Sequence, residues 1–373
     1  MITNLLFIIF ILTAALQLLY WFCFFSKLSF YKEKNIDPVT NGEEVSVIIC
    51  AKDEAEQLSK NLKKVLQQDY AQSEVLVMDD GSQDATFDIL TSLSASFPQL
   101  KVAKVKGKPL GTIGKKYALW QGILQSRFDK LLLTDADCCP SSERWITIMQ
   151  SHLTAQKDIV LGYAPYRAAK GLLNKFVRFE TVLTAIQYFS YALTGIPYMG
   201  VGRNLLYRKK IFIQAGGFEA HKQIASGDDD LFINQVANAH NVAITLHPDT
   251  FMYSEAKRTW KDYFKQKLRH LSTATAYKKK HQILLGTFAT SLVVNNISLI
   301  LLLLNNFSTV FVITITIYAL STIAKMSLYA PILKMLHEKS LFWWIPLLEL
   351  MMSLYFMILT PLSLLKGKPN TWM

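Results

Sequence analysis

The chain has few cysteines, only 4 in 373 residues. Cys23 falls in a long apolar run, and Cys50, Cys138 and Cys139 fall in the middle of the chain. No disulfide framework is implied by so few thiols at these places. No Cys/His spacing of the zinc-binding kind accompanies His221, His240 or His247, which read as ordinary residues. The sequence contains no internal repeat and no low-complexity tract. Residues 107–116 are glycine-rich, yet neither a P-loop nor a Gly-x-Gly-x-x-Gly fingerprint can be laid on them. Pro109 stands where the first P-loop glycine is needed, and Lys116 stands where Ser or Thr should follow the lysine. ATPase and dehydrogenase chemistry therefore lose their main support. No nucleic-acid recognition motif accompanies the net charge of +12 (Lys+Arg 40 against Asp+Glu 28). The positive balance points to anionic membrane lipids as partners, and no nucleic acid is expected.

What the chain does have is carboxylates at particular places. Asp53-Glu54, Asp79-Asp80, Asp135-Ala136-Asp137 and Asp228-Asp229-Asp230 lie at the ends of predicted strands or in loops. Crowded carboxylates repel unless a hard cation or a cationic partner offsets their charge, and Mg2+ or Mn2+ held by one or two of them plus substrate phosphates is the usual arrangement. The strand 45–50 leads into a helix with Leu58, Leu62, Val65 and Leu66 on one face. The strand 74–78 leads into a helix through Phe87, Leu90 and Leu93. A weaker strand at 101–105, a helix over 112–125 and a strand at 130–134 continue the alternation. Alternating β and α segments imply an α/β fold with a mostly parallel sheet, and ligands of such sheets bind beyond the carboxyl ends of the strands. The acidic clusters sit at those ends.

The series 45–54, 75–84 with Asp-Asp-Gly-Ser, 134–137 with Thr-Asp-Ala-Asp, 227–229 with Gly-Asp-Asp, and 266–270 with Gln-Lys-Leu-Arg-His resembles the ordered motifs of membrane-bound family-2 glycosyltransferases. That family includes cellulose, chitin and hyaluronan synthases and ceramide glucosyltransferase. One departure is His270, which replaces the Trp of processive members and argues against a long polymer product. The resemblance implies a GT-A, Rossmann-like catalytic domain. It implies a nucleotide-sugar donor, a UDP-hexose by expectation, and an acceptor that is a lipid or a membrane-proximal glycan of the cell envelope. By the same resemblance Asp137, with Asp135, holds the metal. Asp53, Glu54, Asp79, Asp80, Lys115, Asp135, Gln266 and Arg269 serve the donor. Gly202, Arg203 and Asn204 form the acceptor-side wall, and Asp229 is the base, with Asp228 as the alternative one position away. Single displacement by such a base gives inversion at the anomeric carbon. A processive polysaccharide synthase and a catalytically inactive membrane scaffold are the competing readings.

Each motif alone has a plainer reading: Asp-Asp-Gly-Ser as a capped turn, Asp228–Asp230 as a solvated helix start, and Arg203 as the partner of a structural carboxylate. The order of five motifs outweighs these. Residues 172–186 carry apolar side chains at helical spacing beside Lys170, Lys175 and Arg178, which fits an interfacial amphipathic helix and a core helix about equally.

Residues 2–25 are uncharged and long enough to cross a bilayer, with Lys27, Lys32 and Lys34 following. The run has no basic segment before it and no small-residue cleavage site, so a retained anchor is expected. Three more apolar runs follow at 283–304, 307–324 and 341–365, the last containing Glu349. The expected organisation is an anchor at 1–26, a linker at 27–44 whose core is 35–43, a catalytic domain at 45–281 and a membrane region at 282–373. Positive flanks put the catalytic domain in the cytoplasm of an integral membrane protein, expected in a bacterial inner membrane.

Overall fold

The computed structural model describes residues 2–33, 43–108, 115–224, 226–304 and 309–365. Most of the 35–43 linker, the glycine-rich stretch 109–114, Phe307, and Lys366 and Lys368 lie outside the described residues. The chain divides into two compact units. One comprises Met1–Tyr31, Lys170–Thr194 and Thr259–Gly367, and the other is built from Lys32–Ala169 and Gly195–Arg258.

The second unit is organised by a seven-stranded sheet. Its strands are β1 (Val45–Ala51), β2 (Ser73–Asp79), β3 (Leu100–Lys104), β4 (Lys130–Asp135), β6 (Ile159–Leu161), β7 (Leu205–Arg208) and β8 (Val242–Ile244), in the order β3-β2-β1-β4-β7-β6-β8. The strands β5 (Cys139–Pro140) and β9 (Met252–Tyr253) form a separate antiparallel pair. All pairings among β3, β2, β1 and β4 are parallel, whereas β7 runs antiparallel to both β4 and β6. The three-strand extension is the part that periodicity did not announce, because each of these strands is only three or four residues long.

Every residue of β1 is buried, as expected of a central strand covered on both faces. Val47 and Ile49 face a core shared with Leu58, Leu62, Val65 and Leu66 of the helix Ala55–Leu66, with Leu90 of the helix Thr86–Ser96, and with Trp145 and Met149 of the helix Trp145–Ser151. The opposite face carries Ile48 and Met78. There a side chain at Gly122 of the helix Lys115–Gln125 would come within 3.0 Å of both, so glycine lets that helix lie close on the sheet. The parallel register brings Cys50 level with Asp135, and Ala51 level with Asp79. The carboxyl ends of β1, β2 and β4 thus share one edge, where three of the four acidic clusters begin.

The other unit is helical. It contains Ile2–Tyr20 continuing through a π-helical turn Trp21–Phe25 to Ser29, then Leu172–Leu193, Trp260–Leu271, Lys279–Leu303, Thr309–Met335 and Ile345–Leu365. Among the described residues, four segments are long and apolar enough to cross a membrane: Thr3–Ser29, Lys279–Leu303, Thr309–Met335 and Lys339–Leu362. The third extends well beyond the apolar run read from sequence, passing Lys325 and Pro331. Lys325 forms a buried ion pair with Glu349, whose other oxygen accepts from Tyr329 Oη at 3.3 Å. This pairing removes the difficulty of a lone acid in an apolar helix. Further polar contacts tie the helices: Gln17 Nε2 donates to Ser291 Oγ at 2.6 Å, and Asn296 Nδ2 to Ser353 Oγ at 2.6 Å.

Leu172–Leu193 is buried around most of its circumference, Arg178 and Glu180 included. Arg178 pairs with Glu338, and Glu180 with Lys267 at 2.5 Å. With its charges paired inside the helical unit, this helix has the burial of a core helix and not of a surface amphipathic one.

Candidate active site

The strand ends make two groups of carboxylates with different neighbours. At β1 and β2 the acids are engaged in building a loop. Asp53 adopts a left-handed backbone with φ of 54°, and its Oδ1 accepts from Gln83 N at 2.6 Å while its own N–H donates to Ser82 Oγ at 3.0 Å. Asp79 Oδ1 accepts from Ser82 N at 3.2 Å, and Asp84 Oδ2 from Ala55 N at 3.1 Å. The Asp-Asp-Gly-Ser segment is therefore a capped turn as well as a strand end. Asp80 is buried and paired with Lys108 at 2.7 Å, which offsets its charge.

At β4 the balance is different. Lys115, on the first turn of its helix, contacts Asp135 and lies 3.6 Å from Asp228, so one ammonium joins the third and fourth acidic clusters. Burial opposes the charge on Lys115, but Asp135 and Asp228 outweigh it and hold its pKa well above the ordinary lysine value. Asp137 has a thiol neighbour, Cys138 Sγ donating to its Oδ1 at 3.3 Å, and no ion-pair partner among the described residues. Burial, and then repulsion from Asp135, raise the Asp137 pKa. Burial and the same two aspartates push Glu54 up to about 7. Glu54, Asp135 and Asp137 thus share a pocket of negative charge that its surroundings do not neutralise fully. Among the described residues no three His, Cys, Asp or Glu side chains converge as a complete ligand set. The donor set fits a hard divalent cation held by one or two carboxylates, with substrate oxygens completing the shell.

The three consecutive aspartates do different things. Asp229 caps the helix Asp230–Val236, accepting from Asp230 N at 2.7 Å with Oδ1 and from Gly202 N at 2.6 Å with Oδ2. A side chain at Gly202 would press on Asp229 Oδ2 at 3.1 Å, so glycine permits this approach. Burial, followed by repulsion from Asp228 and Asp230, pushes Asp229 up to about 7. Asp230 is buried, with Oδ1 accepting from Leu231 N at 2.7 Å. Asp228 faces Lys115. The preceding Gly227 has φ of 92°, and a side chain there would run into Leu231.

Residues 200–204 form a fixed wall beside this triad. Asn204 is wholly buried, its Oδ1 accepting from Trp145 Nε1 at 2.9 Å and its Nδ2 donating to Tyr163 O and Thr250 O at 2.9 and 2.7 Å. Arg203 lies over the ring of Tyr166, 4.4 Å from its centroid, and Nη1 donates to Ser254 Oγ at 2.5 Å. No carboxylate stands within ion-pair distance of Arg203 among the described residues. The structural-carboxylate reading of this arginine therefore finds no partner.

The sheet unit brings together Glu54, Lys115, Asp135, Asp137, Asp228, Asp229, Gly202 and Arg203, with Asp53, Asp79 and Asp80 at the neighbouring strand ends. Gln266 and Arg269 belong to the other unit, on the helix Trp260–Leu271. Thr259 caps that helix by accepting from Asp262 N at 3.2 Å. Lys116 escaped the sequence reading. It is buried and donates to His221 O and Ile224 O at 2.9 and 2.8 Å, fastening the segment that leads into Asp228. Its one sequence signal was adjacency to Lys115.

The chain is 27% identical over 236 residues to a Bacillus subtilis protein named "Probable glycosyltransferase YdaM", an alignment covering 60% of this chain and 54% of that protein. It is 22% identical over 291 residues to a poly-beta-1,6-N-acetyl-D-glucosamine synthase of Staphylococcus epidermidis, covering 75% of this chain and 65% of that one. The matched region thus spans between about half and two thirds of these relatives. Among solved structures, a mannosyltransferase from Pyrobaculum calidifontis in complex with GDP-Man and Mn2+ superposes with a TM-score of 0.60. It has 17% identity and covers 94% of this chain and 99% of that one. The superposition shows the fold, a GT-A-like mostly parallel sheet. The family model for Glycosyl transferase family 21 matches residues 6–361, nearly the whole chain, and with the acidic strand ends described above it establishes that this protein belongs to that family of glycosyltransferases.

Proposed function

We propose that the protein is an inverting, metal-dependent glycosyltransferase that moves a sugar from a nucleotide diphosphate, a UDP-hexose by first choice, to a lipid-linked or membrane-proximal acceptor of the cell envelope. The observation that carries the reading is the single lysine, Lys115, between Asp135 on one side and Asp228 on the other. It links a cation-seeking carboxylate pair to a candidate base. Asp137 and Asp135 would hold Mg2+ or Mn2+, which when bound supplies Lewis-acid neutralisation of the leaving diphosphate. The Mn2+ and GDP-Man of the archaeal mannosyltransferase and the polysaccharide product in the staphylococcal relative's name are consistent with this chemistry.

Within this reading the acceptor hydroxyl oxygen attacks the anomeric carbon and its proton passes to an aspartate. The bond from that carbon to the diphosphate oxygen breaks, and the nucleoside diphosphate leaves with the electron pair. Attack opposite the leaving group inverts the anomeric centre. The geometry favours Asp228 over Asp229 as the base, the reverse of the order read from sequence. Both Asp229 oxygens already accept backbone N–H groups, which suits a residue that fixes the loop. Asp53, Glu54, Asp79 and Asp80 are assigned to the nucleoside end, Lys115 to the phosphates, and Gly202, Arg203 and Asn204 to the acceptor side. Gln266 and Arg269 are assigned to the donor by the motif resemblance. The catalytic domain, 45–281, is placed in the cytoplasm, where nucleotide sugars are made, with 1–26 as anchor, 27–44 as linker and 282–373 as the membrane region. His270 in place of Trp favours short products over a processive polymer.

Purified full-length protein in lipid nanodiscs, offered labelled nucleotide sugars, tests the assignment. Asp228→Asn should lower transfer by roughly 10²- to 10⁴-fold while nucleotide binding survives. If Asp228→Asn stays active and Asp229→Asn does not, the base is Asp229.

A further inference from the structure

Arg203 is held more firmly than any contact of its own charge requires. On one side Gly202 N–H binds Asp229, and on the other Asn204 makes three buried hydrogen bonds, so the backbone at 203 is fixed without help from the guanidinium. The guanidinium is then laid on Tyr166, and Nη1 is fastened to Ser254. Tyr166 and Ser254 are themselves joined by a β-bridge, so ring and hydroxyl form one platform. A guanidinium carries five N–H donors in a rigid fork suited to planar oxyanions. Here the hydroxyl takes one nitrogen, and no carboxylate stands in ion-pair range among the described residues. Burial opposes its charge, and the fields of Tyr166, Cys138, Asp137 and Asp135 outweigh that, so the charge is held; what the described residues do not supply is an oxyanion within hydrogen-bond reach of the rest of the fork.

We propose that Arg203 is the receptor for an oxyanion, phosphate or carboxylate, carried by the acceptor, so that the enzyme selects anionic acceptors over neutral ones. This rests on the reading above in one respect: Arg203 is joined through Gly202 to the aspartate triad assigned to the acceptor, while Lys115 serves the donor phosphates. It makes Arg203 a specificity-determining residue outside the acidic motifs.

Full-length protein in nanodiscs, with empty nanodiscs to correct for partitioning, is titrated with farnesyl phosphate, farnesoate and farnesol, and separately with UDP and GDP. Wild type should bind at least one of the two anions roughly tenfold or more tighter than farnesol, the range expected of a charge-assisted contact. Arg203→Gln should erase that preference and leave nucleotide binding unchanged, and Arg203→Lys should keep part of it. If Arg203→Gln does not fold, Arg203→Lys and Tyr166→Leu, which keep the charge but spoil the fork or its platform, should each weaken the preference. No preference in wild type, or an undiminished one in the variants, overturns the proposal. A parallel loss of UDP or GDP binding also overturns it, because the arginine then belongs to the donor. Anion preference without sugar transfer from any nucleotide sugar supports the site and fails the transferase reading instead.

Discussion

Lys116→Met tests whether the segment carrying Asp228, Asp229 and Asp230 is held in place from the helix Lys115–Gln125. Lys116 is 4% exposed, and its ammonium reaches two carbonyls, His221 O and Ile224 O. Methionine keeps the length of the stem and removes the donors. Two buried carbonyls then lose their partner at about 1–3 kcal/mol each, a gross cost of roughly 2–6 kcal/mol. Part is returned because the substitution also removes a buried charge, one whose burial pushes the Lys116 pKa down to about 8. We expect a net loss of about 1–3 kcal/mol. At roughly 2–4 °C per kcal/mol for a unit of this size, unfolding of the sheet unit should move down by about 2–12 °C. Asp228 sits four residues beyond Ile224, so loosening the segment should also displace it from Lys115 and lower transfer by about tenfold or more, because small misplacements at reacting centres are costly. Thermal unfolding and labelled-sugar transfer on the same preparation read both effects, and Lys116→Arg should recover part of each. A midpoint within about 1 °C of wild type together with undiminished transfer would refute the clamp.

Glu54 and Asp229 both titrate near 7, well above ordinary carboxyl values, so between about pH 4 and 7 the folded unit holds protons that the unfolded chain releases. Their contribution to stability is complete below about pH 4 and is lost as the pH rises through 7. Mn2+ should therefore raise the unfolding temperature more at about pH 8 than at about pH 5, with EDTA reversing the gain, and equal gains at both pH values would count against a metal beside Asp137. In the helical unit, Glu349→Ala leaves Lys325 without its carboxylate and should cost about 3–5 kcal/mol, whereas Lys325→Met with Glu349→Leu should stay near wild type. Unfolding in mixed micelles measures both, and a harmless Glu349→Ala would show that the pair is not sequestered. Gly227→Ala forces a left-handed backbone on a residue whose side chain meets Leu231, so stability should fall by about 1–3 kcal/mol and transfer should fall with it. An active and equally stable Gly227→Ala would contradict the described loop.

The parallel half of the sheet was legible because its strands are long, apolar and followed by helices with strong faces, as Leu58, Leu62, Val65 and Leu66 show. β6, β7 and β8 were not. Strands of three or four residues carry too little alternation to separate from buried loops, and their pairing is fixed by partners distant in sequence. The helices long and apolar enough to cross a membrane were legible as apolar runs, yet the third was read short because Lys325 looks like a boundary until Glu349 is seen beside it. Leu172–Leu193 was left between two readings for the same reason. Its basic residues suggested a wet face, whereas Arg178 finds Glu338 and Glu180 finds Lys267, partners 160 and 87 residues away.

The acidic clusters themselves were readable as a set, but the division of labour within each was not. Asp228, Asp229 and Asp230 are the same residue three times, and only the motif resemblance ranks them, with Asp229 first and Asp228 next. In the structure they differ in what each carboxylate meets: an ammonium for Asp228, two backbone N–H groups for Asp229, and the amide of Leu231 for Asp230. One of those amides belongs to Gly202, and the absence of a side chain there lets residues 200–204 come close enough to fix Asp229. The Gly-Val-Gly-Arg-Asn segment is thus a structural support for the aspartate loop before it is anything else. That is why Arg203 can be held at its edge with one nitrogen on Ser254 and the rest of its fork turned to no carboxylate among the described residues.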